Sequence, residues 1–344
     1  MVKKLTRRPR VLIFSLAYFP FVGGAEVAVK EITDRLPGYE FELLTANLDG
    51  KQKKEEEIGA VKIIRIGSGK IGKYFFPLTA YRGASRRHKI KPYDMIWAIM
   101  ANQAGTAGAL FKARFRTVPF LLTLQEGDEL NSLAYRLRLL IPKFFGVFRS
   151  PNQIQVISNY LGEWARAMGA KCPITVVPNG VNIGKFKVQN EKLKETTKNF
   201  KTIITTSRLV KKNGVDTLIE SLKFLPENVK LQILGTGQEE MSLRQLMSRH
   251  RLDSRVEFLG HVAPDKVAEY LVQADIFARP SRSEGLGNSF LEAMAAGVPT
   301  IGTPVGGIPD FLQGDTLAGS KVSPLIQTGL PRQQRGWVCE VNNA

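Results

Sequence analysis

RPSRSEGLGNSFLEAMAAGVPTIGTPVGGIPD, residues 279–310, is the stretch whose reading decides the fold. The apolar run Ile276–Ala278 leads into a Pro/Ser/Arg turn and then the glycine-punctuated loop Glu284-Gly-Leu-Gly287. A compact helix pattern over Ser289–Ala296 follows, stopped by Gly297 and Pro299. A second short apolar run and the pair Gly306-Gly307 complete a strand, glycine loop, helix, strand unit. Backbone amides at the loop-to-helix junction, together with the positive end of the helix, suit an anion and above all a phosphate. Two carboxylates, Glu284 and Glu292, bracket the same turn. Amides for phosphate and carboxylates for hydroxyls suit a nucleotide sugar. Two plainer readings stand beside this one. Ser289-Phe-Leu-Glu292 fits a capping box, in which Glu292 only returns a hydrogen bond to the helix start. Glu284 also fits a solvated loop acid.

Outward from that unit the same alternation continues. Strands are expected at Thr202–Thr206, Lys230–Leu234 and Val256–Leu259, with helices at Val215–Phe224, Glu239–Ser248 and Asp265–Ala274. Upstream, Asn182–Thr202 is polar and lysine-rich and reads as a linker. Before it, apolar runs at Val11–Leu16, Phe41–Thr45, Val61–Ile66, Met95–Ile99, Pro119–Leu124, Ile154–Ile157 and Thr175–Val177 read as strands. Helix patterns lie near Ala25–Leu36, Gln103–Lys112, Leu130–Phe148 and Tyr160–Met168. Strands interleaved with helices imply parallel sheets covered on both faces. The expected architecture is therefore α/β: a doubly wound domain over 1–182, a linker over 183–201 and a second such domain over 202–344, around a cleft.

Composition narrows the function classes. A chain of 344 residues suits two domains, and 43% hydrophobic with 23% charged residues is globular usage. Cys172 and Cys339 are far apart with no metal or redox spacing, which argues for a reducing compartment. The start imitates a signal peptide, but its apolar run contains Pro20 and flows into a helix pattern, so it reads as a first strand. No apolar run reaches a membrane-span length. A cytoplasmic protein is expected, with a peripheral place on the inner face of the membrane as an extension of that reading. The net charge of +18 is uneven: residues 1–150 hold 26 Lys/Arg against 13 Asp/Glu, and residues 151–344 hold 23 against 18. The basic segments Arg82–Lys91, Lys112–Arg116 and Arg136–Arg149, the last mixed with Leu139, Leu140, Ile141, Phe144, Phe145 and Phe148, suit an anionic membrane surface. A buried helix with a charged outer face is the plainer reading. No recognition module accompanies the charge, so nucleic acid is not expected as a partner.

Several motifs are weak one by one. Gly67-Ser-Gly-Lys-Ile-Gly72-Lys73-Tyr74 misses a phosphate-binding P-loop because Tyr74 stands where a magnesium-binding hydroxyl belongs. An exposed basic loop is the expectation there, with a P-loop phosphotransferase needing Lys73 as a remote option. The dinucleotide pattern is absent after the first strand, and Gly235-Thr-Gly237 is only a fragment of it. Gly23-Gly24-Ala-Glu26 opens the first helix. Arg208 and Lys211-Lys212 close the first strand of the second domain, where cations can clamp a diphosphate or form a solvated basic loop. Gln125 and Glu126 follow a strand of the first domain as site candidates or as ordinary loop polarity. No Asp-x-Asp pair, Cys/His cluster or HExxH occurs, so no metal site is expected.

Taken together, GGAE, VVPNGV at 176–181, RLVKKNG, LGTG, FLGHV and the two glutamates of SEGLGNSFLEAMAAGVPTIGT resemble the retaining nucleotide-sugar glycosyltransferases of family 4. The resemblance implies the GT-B fold, two Rossmann-like domains facing across a cleft. It implies that Glu284 meets the donor sugar and Glu292 the ribose, with Gly285, Leu286, Gly287 and Asn288 supplying amides. It further implies that Gly23 and Gly24 face the diphosphate and acceptor, that Gly235, Gly237 and Val262 lie near the base, and that Arg208 and a lysine hold the leaving diphosphate. Four departures stand out. Gln125 stands near where the family often has histidine, and Asn213 occupies the family's lysine position, so Lys212 carries over only if the loop shifts by one residue. Residues 314–335 read as an insertion, and the chain stops where family members continue with helices returning to the first domain.

The expected function is a retaining, metal-independent hexosyltransferase with a UDP- or GDP-sugar donor, no cofactor, and a glycan or lipid-linked acceptor in cell-surface polysaccharide or glycolipid synthesis. The alternative is a catalytically impaired protein that binds nucleotides or anionic surfaces.

Overall fold

The computed structural model of the chain describes residues 7–130, 132–186, 200–312 and 337–338. They divide into two compact units, Met1–Glu126 with Leu130–Pro178, and Gly127–Glu129 with Asn179–Ala344. The anticipated insertion over 314–335, most of the expected linker and the C-terminal end lie outside the described residues.

The first unit is built on an eight-stranded sheet: β1 Arg10–Phe14, β2 Glu40–Ala46, β3 Glu55–Ile58, β4 Val61–Ile66, β5 Met95–Ile99, β6 Phe120–Leu124, β7 Gln153–Val156 and β8 Ile174–Val176. Their order is β3-β4-β2-β1-β5-β6-β7-β8, parallel throughout except for β3 against β4. β1, RVLIF, is buried along its whole length, as a strand covered on both faces should be. The helices after β5 and β7 start at side-chain caps: Asn102 accepts from Ala104 N at 2.8 Å and Ser158 from Leu161 N at 3.4 Å.

Two expectations in this unit are corrected. The segment from Gly67 to Tyr74 is largely exposed, as expected, but it is not a loop, because a helix runs from Gly69 to Ile90. Its inward seam is Phe76, Ala80 and Ala84, with Gly83 against Ile66 and Leu44. After Phe76 small residues carry the packing, and Pro77 interrupts the pattern further. The single helix pattern over Leu130–Phe148 is two short helices, Leu133–Arg138 and Leu140–Phe144. Pro142 explains the break, since it fits the first turn of a new helix but not the interior of a longer one.

The second unit carries a six-stranded parallel sheet: β9 Lys201–Thr206, β10 Val229–Leu234, β11 Val256–Gly260, β12 Ile276–Arg279, β13 Thr300–Gly302 and β14 Trp337–Val338. The order β11-β10-β9-β12-β13-β14 is that of a dinucleotide-type sheet. One core cluster gathers Ile204, Phe277, Phe290, Ala293 and Ile308; another gathers Ile203, Leu218, Leu231, Ile233 and Leu243. Every strand expected from periodicity is present, with ends displaced by at most two residues. Among the described residues no helix is long and apolar enough to cross a membrane.

Candidate functional site in the second unit

Strand order in the second sheet runs outward in one direction from β9 and in the other from β12. Such a reversal leaves a crevice beyond the carboxyl ends of the two strands, the usual ligand position in open α/β sheets. The loops there are 207–214, after β9, and 280–287, after β12.

The loop after β9 starts at Ser207 and Arg208. Gly235 and Gly237 lean on it: a Cβ on Gly235 would lie 1.8 Å from the Ser207 carbonyl oxygen, and one on Gly237 2.3 Å from that of Leu209. Lys211–Asn213 form a single 3-10 turn. Asn213, at the position expected to hold lysine, is buried and donates from Nδ2 to the Arg208 carbonyl oxygen at 2.6 Å. Lys212 instead donates to the Gly127 carbonyl oxygen at 2.6 Å and pairs with Asp128 at 3.2 Å. Burial pulls the Lys212 ammonium below the usual lysine range; Asp128 opposes the shift, and Arg208 and Arg279 add to it. Arg282 ties this turn to the second loop through a bidentate pair with Asp216, 2.9 Å on each side, and a bond to the Lys211 carbonyl oxygen at 2.7 Å.

Glycine lets backbone press on the loop 280–287 at two points, once from the loop after β9 and once from the segment after β13. Gly214 has φ +68°, and a Cβ there would lie 1.9 Å from the Pro280 carbonyl oxygen. Gly306 has φ +56°, and a Cβ there would lie 1.7 Å from the Glu284 carbonyl oxygen. Neither position admits a side chain without moving backbone.

Arg279 ends β12 and is 7% exposed. Its Nε donates to Ser281 Oγ at 3.0 Å, one terminal nitrogen donates to Ser289 Oγ at 2.6 Å, and the other pairs with Glu284 Oε2. Burial lowers its pKa to about 10, with Arg208 pushing the same way and Glu292 opposing. The other oxygen of Glu284, Oε1, accepts from Gly285 N at 3.0 Å. A Cβ placed on Gly127 would lie 3.3 Å from Glu284 Oε1, 3.4 Å from Lys212 Nζ and 3.5 Å from Gly285 N, so carboxylate, ammonium and amide converge.

The helix Asn288–Ala295 is entered from Gly287, whose φ is +92°. Among the described residues, the amides of Leu286, Gly287, Asn288 and Ser289 donate no hydrogen bond. Asn288 Oδ1 accepts from Asn179 Nδ2 at 3.2 Å. The capping-box reading fails here. Ser289 lies inside the helix and holds Arg279, and Glu292 falls in the second turn. The Glu292 carboxylate takes no hydrogen bond among the described residues. Burial raises its pKa above the usual glutamate value, with Lys185 and then Arg279 offsetting the shift. A half-buried carboxylate without an internal partner is chemically suited to bind a diol. Val262, expected near the base, is half-buried and packs against the core cluster of this unit.

The structure thus gathers Arg208, Lys212, Glu284, Gly285, Gly287, Asn288 and Glu292 around one switch point, with Gly235 and Gly237 behind the β9 loop. Arg279 and Arg282 were not singled out in the sequence, and Ser289 was read there only as a helix cap. The available signal was an arginine closing the otherwise apolar strand IFAR. In the first unit, Gly23 precedes the helix Gly24–Asp34 and its amide donates to Glu26 Oε2 at 2.7 Å. Gln125 follows β6 and is half-buried; the adjacent Glu126 is buried and accepts from Ala101 N at 2.6 Å.

Known proteins share this sequence pattern and this fold. The family described as "Glycosyltransferase Family 4" matches residues 22–185, and "Glycosyl transferases group 1" matches residues 200–327. The chain is 28% identical to the uncharacterized glycosyltransferase MJ1178 of Methanocaldococcus jannaschii, over 88% of this chain and 81% of that protein. It is 34% identical to a GDP-mannose-dependent alpha-(1-6)-phosphatidylinositol monomannoside mannosyltransferase of Mycobacterium tuberculosis, over 46% of each, so it spans less than half of that relative. Anabaena HepE, solved in complex with UDP-glucose, superposes with a TM-score of 0.69 at 20% identity, over 88% of this chain and 82% of that one. The fold is GT-B.

Proposed function

The chain belongs to the group 1 glycosyltransferases of family 4, and from that premise we propose that it is a retaining enzyme moving a hexose-type sugar from a UDP- or GDP-sugar to a glycan or lipid-linked acceptor. The observation that carries this reading is the convergence of the Lys212 ammonium, the Glu284 carboxylate and the Gly285 amide beside four amides that donate no hydrogen bond among the described residues, at a sheet switch point. In the proposed complex Glu284 holds hydroxyls of the donor sugar, and Glu292 holds the ribose. The amides from Leu286 to Ser289 meet the diphosphate, with the positive helix end behind them. As the bond from the anomeric carbon to the diphosphate oxygen breaks, positive charge grows on the sugar and negative charge on the leaving group. Arg208, Lys212 and the amides stabilise that negative charge, which is why we propose a course that needs no metal. Gly23, Gly24 and Gln125 are proposed as ligand-contacting residues of the first unit.

The relatives favour a surface-glycan or glycolipid pathway: one is named for GDP-mannose and a phosphatidylinositol acceptor. The first unit adds Leu137, Leu140 and Ile141, exposed at 57%, 60% and 62%, beside the exposed Arg136. We therefore extend the proposal to a cytoplasmic protein held at an anionic membrane surface. The test is a thermal-shift panel with UDP, GDP, ADP, NAD and ATP in EDTA. A ligand at about 100 times its dissociation constant stabilises a fold by roughly 2.7 kcal/mol, a readable shift. Stabilisation by UDP or GDP alone supports the reading; silence from both, or a response confined to NAD or ATP, refutes it.

A further inference from the structure

We infer that Arg279 is the positioning residue of the donor site, a buried guanidinium that fixes the Glu284 carboxylate in the orientation that reads the donor sugar. The inference rests on the proposed role of Glu284. Arg279 stands at the end of β12, between the strand and the glycine loop, and is nearly inaccessible to solvent. Two serines hold it: Ser281 Oγ takes Nε at 3.0 Å and Ser289 Oγ takes a terminal nitrogen at 2.6 Å. The Phe290 ring lies against the guanidinium, with its centroid 5.4 Å from Cζ. With the plane so fixed, the remaining terminal nitrogen can point in only one direction, and there it meets Glu284 Oε2. Glu284 Oε1 is turned the opposite way, to Gly285 N and toward Lys212 Nζ. A planar guanidinium with separated donors can hold three partners at set angles, whereas an ammonium at the end of a flexible stem cannot. A charge this deeply buried is retained only with partners, and all the partners described here belong to the loop and helix that carry the proposed site. Arg279 therefore acts through Glu284 and touches no substrate.

The test compares affinities for UDP-glucose with UDP, and for GDP-mannose with GDP, in the wild type, Arg279→Met, Arg279→Lys and Glu284→Gln. The wild type is expected to prefer one sugar nucleotide over its bare nucleotide. Arg279→Met should weaken the sugar nucleotide about tenfold or more, the scale of a lost charge-assisted contact, while the bare nucleotide changes less than about threefold. Arg279→Lys should fall between the two, and Arg279→Met should add little to Glu284→Gln. If Arg279→Met fails to fold, Arg279→Lys carries the comparison. A preference kept in full by the folded arginine variants overturns the inference alone. Equal weakening of both ligands with a fall in Tm assigns Arg279 to structure only and also overturns it. A wild type that binds nucleotide but shows no preference refutes the role given to Glu284, and the inference with it; one that binds neither nucleotide refutes the whole site reading.

Discussion

Glu292→Gln should weaken nucleotide binding without weakening the fold. The carboxylate accepts no hydrogen bond among the described residues, so the amide gives up only the attraction of Lys185 and Arg279, which burial outweighs. Burial is the main cause of its raised pKa, which means that the folded state prefers the protonated form. A group of this kind contributes stability below its unfolded pKa and loses that contribution as the pH rises through its folded value. At neutral pH the ionised carboxylate is therefore a burden on the free fold. The neutral isostere removes the burden, and Tm should stay level or rise. In the complex, the same carboxylate is proposed to accept from the ribose hydroxyls. Hydrogen bonds to charged groups contribute about 1.5–3 kcal/mol, so Kd for UDP or GDP should rise roughly 10- to 150-fold. Isothermal titration and a melting curve at pH 7.5 measure both quantities. A Kd within twofold of wild type, or a loss of affinity accompanied by a drop in Tm, would refute the reasoning.

Three further outcomes follow from the loops. Gly214→Ala forces a left-handed residue and a clash with Pro280, so denaturation should show a loss of more than about 2 kcal/mol, with a weaker diphosphate site; an unchanged Tm would contradict the packing described. Glu284→Gln leaves the buried Arg279 charge unpaired, and urea unfolding should register a loss of about 3–5 kcal/mol. Lys212 has a lowered pKa and must be protonated to hold a diphosphate. Affinity for GDP or UDP should therefore fall as pH rises, beginning below the range of an ordinary lysine, and Lys212→Met should flatten that alkaline limb.

Much of this arrangement was legible in the residues. Alternating short apolar runs and helix periods marked both sheets because strands covered on two faces leave uninterrupted patterns such as RVLIF and IFAR. The loop 284–287 and its helix were legible because glycines and a helix stop punctuate them. The helix Gly69–Ile90 was not, since its buried seam of Phe76, Ala80 and Ala84 offers little apolar contrast. β3, EEEI, is an edge strand without an apolar face. The capping box misled because the helix begins at Asn288, which carries Glu292 past the third position. Arg279 was hidden for a different reason. Composition treats arginine as a surface residue, and only the two serines and one glutamate brought around it by the fold explain its burial. Likewise, the lysine missing at position 213 could be judged only from the 3-10 turn, which turns Asn213 inward to Arg208 and sends Lys212 toward Glu284.

The central claim is that a nucleoside diphosphate sits at the switch point of the second sheet. Hydrogen exchange with and without saturating UDP or GDP, in EDTA, tests it most directly. The account predicts that one of the two protects the peptides covering residues 205–214 and 282–292, with the amides of Leu286–Ser289 changing most. Nucleotide binding that leaves those amides exchanging at their free rates, with protection elsewhere, would contradict it.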